Sequence, residues 1–224
     1  AGGRDHPSMD DTTRAALDSV RASLNTRTRI AALTGAGISA ASGIPTFRGA
    51  ADSLWHDHRP EELATPEAFA RDPELVWRWY DWRRGLIAGA RPNAAHRALV
   101  DLAESVADVV VVTQNVDGLH AAAGSRQVIE FHGSIWRVRC LDCGAEREDR
   151  RHPLPVPPRC DGCGGLLRPG VVWFGEAIDP ANLAAADAAA RRCDLFLVIG
   201  TSGVAYPAAG LAGTARASGA QDRK

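Results

Sequence analysis

Residues 33–49 read LTGAGISAASGIPTFRG and begin on the last residue of the short apolar run RIAAL (29–33). Gly35 and Gly37 come straight after that expected strand, and Ala40 stands where a third small residue belongs. This is the G-x-G-x-x-G/A pattern of a strand-to-helix turn whose backbone amides face a pyrophosphate. An ordinary glycine-rich turn would satisfy the same letters. The acidic residue that a simple dehydrogenase places about 20 positions later, closing a second strand, is absent. The chain runs instead into GIPTFRG and an aromatic stretch. A dinucleotide is therefore expected here, held differently from the way a dehydrogenase holds it.

On either side of this turn, strand and helix patterns alternate. Residues 10–24 place Leu17, Val20 and Leu24 at helical spacing behind polar capping residues. The runs ADVVVVT (107–113) and CDLFLVIG (193–200) are nearly continuous in apolar residues, as parallel strands buried on both faces require. Helical segments are expected over 93–104 and 180–192. The predicted fold class is α/β, with a doubly wound, Rossmann-like parallel sheet and a second, smaller domain. Residues 10–49, 93–135 and 169–224 are assigned to the dinucleotide-binding sheet domain. Residues 50–92 read as a helical insertion, and 136–168, rich in Cys, Pro and Gly, as a zinc-ribbon module.

A chain of 224 residues, 45% of them hydrophobic, can bury one sizeable core with a small satellite. A net charge of -1 and the lack of a basic run argue against general affinity for nucleic acid or lipid headgroups. No apolar run is long enough to span a bilayer, and the N-terminal residues lack the apolar core of a signal peptide. The expectation is a cytoplasmic, monomeric protein with no membrane and no nucleic-acid partner.

Cys140-x-x-Cys143 and Cys160-x-x-Cys163 are two knuckles separated by sixteen residues. Four thiolates so spaced close a tetrahedral site for one structural zinc ion and leave no position open for water. Two disulfides are the alternative, disfavoured in a chain without a secretion signal. Cys193, beside a buried strand, reads as inert core. His132, in VIEFHGSIW, lies just after a short apolar strand and before the zinc module, where two domains would meet over a cleft. A histidine there is a candidate general base. Gln114, Asn115 and Asp117, in TQNVDGLH, follow the carboxyl end of a strand, where doubly wound sheets bind ligands. Asn and Asp also simply favour turns.

Taken together, GAGISAASGIPTFRG, TQNVDGLH, EFHGS, the paired knuckles, RPGVVWFGE and GTSGVAYPAA occur in the order and spacing of the sirtuins, which the chain resembles over about residues 30–211. The resemblance implies an NAD-dependent protein-lysine deacylase. In that chemistry the acyl oxygen attacks the ribose C1′ and nicotinamide leaves. His132 then serves as base toward the ribose hydroxyls, and O-acyl-ADP-ribose is released. Asn115 joins His132 as catalytic by resemblance. Gly35, Ala36, Gly37, Ser39, Gln114, Asp117, Gly200, Thr201 and Ser202 are implied cofactor contacts. Ile44, Phe47 and Arg48 are implied to press the nicotinamide into its pocket. Val172, Trp173, Phe174 and Gly175 resemble the segment that pairs with an acylated-lysine peptide.

One further segment bears on the acyl group. Asp72-Pro73 marks a helix start, and the helix is expected to stop at Gly85. Tyr80 and Arg83 then share one face. Read without the family, Trp77, Tyr80 and Arg84 form a packed stripe with Arg83 in solvent. The resemblance to class III sirtuins instead makes Ala64, Tyr80 and Arg83 a roomy, positively charged pocket for succinyl or malonyl groups, with acetyl secondary. The chain also departs from the family: after GTSGVAYPAA it reads GLAGTARASGAQDRK to Lys224. An edge strand and a wall of the cofactor site are therefore expected to be missing. That shortfall keeps open the alternative of a non-catalytic zinc-containing module that binds NAD or acyl-lysine.

Overall fold

The computed structural model describes residues 10–45, 60–203 and 206–223. The chain opens with α1 (Asp11–Ser23), β1 (Arg29–Thr34), the short α2 (Ala36–Ser39) and a single 3-10 turn, Ala40–Ser42. Three helices follow, α3 (Pro60–Leu63), α4 (Pro66–Arg71) and the long α5 (Pro73–Gly89), and then α6 (Ala94–Leu102). The middle of the chain forms β2 (Asp108–Thr113), α7 (Leu119–Ala123), β3 (Gln127–Glu130), β4 (Gly133–Cys140), β5 (Glu146–Glu148) and β6 (Leu167–Val171). It closes with α8 (Pro180–Arg192), β7 (Leu195–Ile199), α9 (Leu211–Ala217) and β8 (Gln221–Arg223).

The main sheet is parallel throughout, in the order β3-β2-β1-β7-β8. Strand order reverses between β1 and β7, so the carboxyl ends of β1, β2 and β7 share one crevice, the place where such sheets take ligands. Alternation along the strands divides the core in two. Ile30, Ala32, Val109 and Val111 pack toward α6, while Ala31, Leu33, Val110 and Val112 pack toward α8 and α9. The facing residues of α8 are Ala186, Ala189 and Ala190, small enough for a helix to lie close on the sheet. Val20 and Leu24 extend the first of these cores, whereas Leu17 stays 42% exposed.

The expectation of a missing edge strand is corrected here. Gln221–Arg223 forms β8, paired in parallel register with Leu195–Leu197 of β7, so that edge is covered. The turn that feeds it is closed by the Ala220 amide on the Ala215 carbonyl and by the Gln221 amide on the Asp194 carbonyl.

The smaller lobe joins the three-stranded antiparallel sheet β5-β4-β6 to α3, α4 and α5 through a single core. Trp77, Trp79, Tyr80 and Ile87 of α5 pack with Ile135, Trp136 and Val138 of β4 and with Trp173. Asp72 caps α5, its carboxylate accepting the Leu75 amide, and Pro73 occupies the first turn. The helix does not stop at Gly85 but runs on to Gly89. A Cβ at Gly85 would lie 2.7 Å from His152 Nε2, so the glycine admits that ring rather than ending the helix. His152 Nδ1 is 3.2 Å from the Asp81 carboxylate, which also accepts the Leu154 amide at 2.9 Å. One face of α5 is thereby fastened to the loop leading into the second knuckle.

Two glycine substitutions separate strain from propensity. Gly200 has φ +63, and a Cβ there would meet the Ile38 amide nitrogen at 2.2 Å. Gly200→Ala should cost about 3 kcal/mol in chemical denaturation. At Gly89 nothing lies within 4 Å, so Gly89→Ala should stabilise by about 0.5 kcal/mol. A neutral Gly200→Ala would refute the close approach of the two turns.

Candidate active site

The crevice is built where two turns cross. The Gly35 amide donates to the Ile199 carbonyl at 3.1 Å and the Gly37 amide to the Gly200 carbonyl at 2.8 Å. A Cβ at Gly35 would lie 2.7 Å from Thr201 Cβ, and one at Gly37 would lie 2.8 Å from the Gly200 carbonyl oxygen. The two fingerprint glycines are therefore required by the β7 turn, independently of any bound phosphate.

Around this crossing the polar side chains bond to one another. Asn115 Nδ2 donates to the Gly35 carbonyl and to Ser39 Oγ, each at 3.1 Å. Ser39 Oγ donates to Asp117 Oδ2 at 2.7 Å, and Asp117 Oδ1 accepts the Leu119 amide at 2.9 Å. Gln114 Nε2 donates to Thr201 Oγ1 at 3.0 Å, linking the β2 and β7 turns. Ser39 and Asp117 are buried, while Gln114 and Asn115 are half-buried.

His132 stands beside them, between β3 and β4, with Nδ1 3.0 Å from the Gln114 carbonyl oxygen. A carbonyl only accepts, so Nδ1 carries the proton and Nε2 presents the lone pair. Burial pushes the His132 pKa below its ordinary value, opposed by that backbone bond. The neutral ring is thus the prevailing form at neutral pH, in a tautomer suited to accept a proton.

Residues that were not singled out from the sequence hold this arrangement from below. Asn93 caps α6 and donates through Nδ2 to the Ile38 carbonyl at 2.7 Å and to Ser42 Oγ at 2.9 Å. His96 and His120 are fully buried with ring centroids 4.8 Å apart, and His120 Nε2 is 3.0 Å from Thr34 Oγ1. Burial depresses both pKa values, that of His120 to about 4, so both rings are neutral. The Asn-x-x-His spacing of the α6 cap was the one available sequence signal for Asn93 and His96.

The expected acyl-side residues lie on the smaller lobe. Tyr80 is buried, and its hydroxyl accepts the Trp173 indole N–H at 2.9 Å. Arg83 is half-buried with its guanidinium 4.9 Å from the Trp79 ring centroid, and burial lowers its pKa, opposed by its electrostatic interactions with Tyr80 and Asp117. Arg84 points the other way, into the core, donating from Nε to the Ile135 carbonyl at 2.9 Å. Its guanidinium lies 5.7 Å and 5.6 Å from the ring centroids of Trp77 and Trp136. The packed stripe of Trp77, Tyr80 and Arg84 is therefore realised, but Arg83 is not a fully solvated residue.

Ala64 is buried, and its carbonyl accepts the Phe174 amide at 2.9 Å, while the Val172 amide donates to the His132 carbonyl at 2.9 Å. These bonds set the segment 172–175 beside both His132 and Ala64. Ile44 packs partly buried against the smaller-lobe core. Ala36 opens α2, Ser202 is exposed, and Phe47 and Arg48 lie outside the described residues.

The four cysteine sulfurs lie within 4.8 Å of one another, with Cys140 to Cys163 at 3.5 Å and Cys143 to Cys160 at 3.8 Å. Sulfurs around a tetrahedral zinc at Zn–S distances of about 2.3 Å sit about 3.8 Å apart, so the cluster fits one such ion. An all-thiolate set leaves no ligand position for chemistry. Cys193 is buried, its Sγ donating to the Ala190 carbonyl at 3.2 Å.

The model of the Sir2 family matches residues 35–207. The chain is 58% identical over 193 residues to an NAD-dependent protein deacylase of Aquifex aeolicus, covering 86% of this chain and 80% of that protein. A solved complex of a Sir2 homolog with NAD is 45% identical, with a TM-score of 0.84 over 97% of this chain and 83% of that one. A Sir2 homologue bound to 2′-O-acetyl ADP ribose is 48% identical, with a TM-score of 0.85 over 96% of this chain and 83% of that one. Among the described residues, no helix is long and apolar enough to cross a membrane.

The metal site yields a direct test. Purified protein should carry one zinc per chain, and Cys143→Ser should lower that content and reduce stability by several kcal/mol. Full zinc occupancy with an unchanged melting temperature in Cys143→Ser would overturn the ligand set.

Proposed function

The chain belongs to the Sir2 family, the sirtuins, and from that premise we propose that it removes succinyl and malonyl groups from protein lysines in preference to acetyl. The activity itself is NAD-dependent protein deacylation, and the enzyme carries a structural zinc ion. The observation that supports this chain as a working catalyst is the fixed tautomer of His132, held by the Gln114 carbonyl beside the Asn115–Ser39–Asp117 network.

The residues of the crevice suit a dinucleotide in kind and place. Asn115, Asp117, Ser39 and Gln114 offer amide, carboxylate and hydroxyl groups for ribose and carboxamide. Thr201, Ser202 and the Ala36 amide serve the phosphates, while Gly35 and Gly37, whose own amides bond to the β7 turn, let the backbone come close, and Ile44 borders the nicotinamide side. When bound, NAD supplies the glycosidic carbon that accepts the acyl oxygen. His132 Nε2 takes a proton from a ribose hydroxyl, and its Nδ1–H bond keeps the ring from turning as charge develops.

Substrate recognition divides between backbone and pocket. The amides of Val172 and Phe174 are spent inside the protein, so a peptide pairing with residues 172–175 would be met chiefly by their carbonyls, largely independent of its sequence. Beyond them, Ala64 leaves room, and Arg83 with Tyr80 offers donors to an acyl carboxylate. Arg84 gives its Nε to the Ile135 carbonyl inside the core, whereas Arg83 lies half-buried beside Trp79, which favours Arg83 as the carboxylate ligand. A guanidinium matches a carboxylate in two parallel bonds.

Mass spectrometry of matched peptides tests both levels. Succinyl-lysine should be lost faster than acetyl-lysine in the presence of NAD, and Arg83→Met should abolish the first far more than the second. Equal loss of both would remove Arg83 from the pocket. His132→Ala should lower kcat/KM by about 100-fold or more on either substrate. Because burial lowers its pKa, the acid limb of kcat/KM should have its midpoint below the ordinary histidine value of about 6.5. A midpoint above it would show that His132 is not the base.

A further inference from the structure

The side chain of Trp173 has no part in the backbone pairing proposed for its segment, yet it is among the most firmly held groups in the smaller lobe. Its indole is buried and lies with its centroid 3.6 Å from the Arg168 guanidinium and 5.1 Å from the Phe69 ring centroid. Arg168 is itself fixed. Its two terminal nitrogens donate to Glu176 Oε1 and Oε2 at 2.6 and 2.8 Å, and one of them also reaches the Val171 carbonyl at 3.0 Å. Glu176 Oε2 accepts the Trp173 amide as well, at 2.8 Å, so one carboxylate ties down both the backbone and the cation over the ring. The indole N–H that results from this placement points at the Tyr80 hydroxyl, 2.9 Å away.

We infer that Trp173 is a positioning residue for acyl selectivity: its N–H fills an acceptor site on the Tyr80 hydroxyl oxygen and so commits the phenolic proton to the acyl pocket. This inference rests on the acyl-chain reading above. An indole N–H can only donate, so the tyrosine oxygen must accept. The hydroxyl then keeps one proton, which cannot lie along the Trp173 direction. The Tyr80 ring plane is fixed too, by edge-on contacts with Trp79 at 4.8 Å and Trp77 at 6.4 Å. Burial pushes the Tyr80 pKa to about 12, so the phenol retains its proton at neutral pH. With the Arg83 guanidinium adjoining, the pocket presents donors, and a group made only of acceptors answers it best. A terminal carboxylate is such a group; the methyl of an acetyl is not.

The test is a double-mutant cycle read on two peptides. Wild type, Trp173→Phe, Tyr80→Phe and the double variant are assayed on succinyl-lysine and acetyl-lysine forms of one peptide. Wild type should favour succinyl. Each single change should lower kcat/KM for succinyl about fivefold more than for acetyl, and the double variant should lose no more of that selectivity than Tyr80→Phe alone. Benzothienylalanine at position 173, which keeps the bicyclic shape and removes only the N–H, should behave as Trp173→Phe and carries the test if that variant does not fold. Equal losses on both peptides, or additive losses in the double variant, would overturn the inference and leave Trp173 a packing residue. A succinyl preference in wild type that survives loss of the N–H would overturn this inference alone. Wild type faster on acetyl would overturn the acyl-chain reading and this inference with it.

Discussion

Backbone meets backbone where the turn after β1 crosses the turn after β7, and the rest of the site is referred to that contact. Side chains at Gly35, Gly37 or Gly200 would force the two turns apart, since each Cβ would fall under 3 Å from the opposing chain. With the turns in contact, the Gly35 carbonyl lies within reach of Asn115 and Thr201 within reach of Gln114. Three loops from three adjacent strands are thereby fixed without a rigid element among them. Parallel sheets bring their carboxyl ends to one side in any case. What is particular here is that direct contact between the turns holds the loops.

The smaller lobe reaches the same loops by another route. Trp136 Nε1 donates to the Asp117 carbonyl at 3.0 Å, and the Ile135 amide to the Val116 carbonyl at 3.0 Å. Both belong to β4, which ends at Cys140, one of the four zinc ligands. Arg84 buttresses the other side of the strand, and burial lowers its pKa to about 10, still a cation at neutral pH. The metal takes no part in the chemistry, but the strand that positions Asp117 begins at the site and ends at the metal cluster. Loss of zinc would act on catalysis through this strand.

What could be read from the sequence was what depends on residue type at short range. The glycine turn, the Asp72-Pro73 start of α5 and the cysteine knuckles each carry their chemistry within a few residues. The passage of α5 through Gly85 could not be read, because a glycine there costs about 1 kcal/mol of helix propensity and is accounted for only by a ring from residue 152. The edge strand β8 is three residues long, too short for alternation to register. Helical spacing already places Arg84 in the stripe with Trp77 and Tyr80; what it cannot show is that its neighbour Arg83 is half-buried against Trp79. The bond from Trp173 to Tyr80 spans 93 positions and leaves no local trace.

Preorganisation in this crevice comes from polar groups that satisfy one another before any ligand arrives. Ser39 accepts from Asn115 and donates to Asp117, so a single hydroxyl orders an amide and a carboxylate whose orientations a bound ribose would otherwise have to fix. The buried histidines beneath the loops complete the electrostatics. The Asp117 charge raises the pKa of His96, but desolvation is the larger effect and the ring stays neutral. The same carboxylate also acts on Arg83, where burial again opposes the charged form. A guanidinium is far harder to deprotonate than an imidazole, so the two groups answer the same field differently. Positive charge is thereby kept off the floor of the crevice and retained on the smaller-lobe wall, where the acyl chain would meet it.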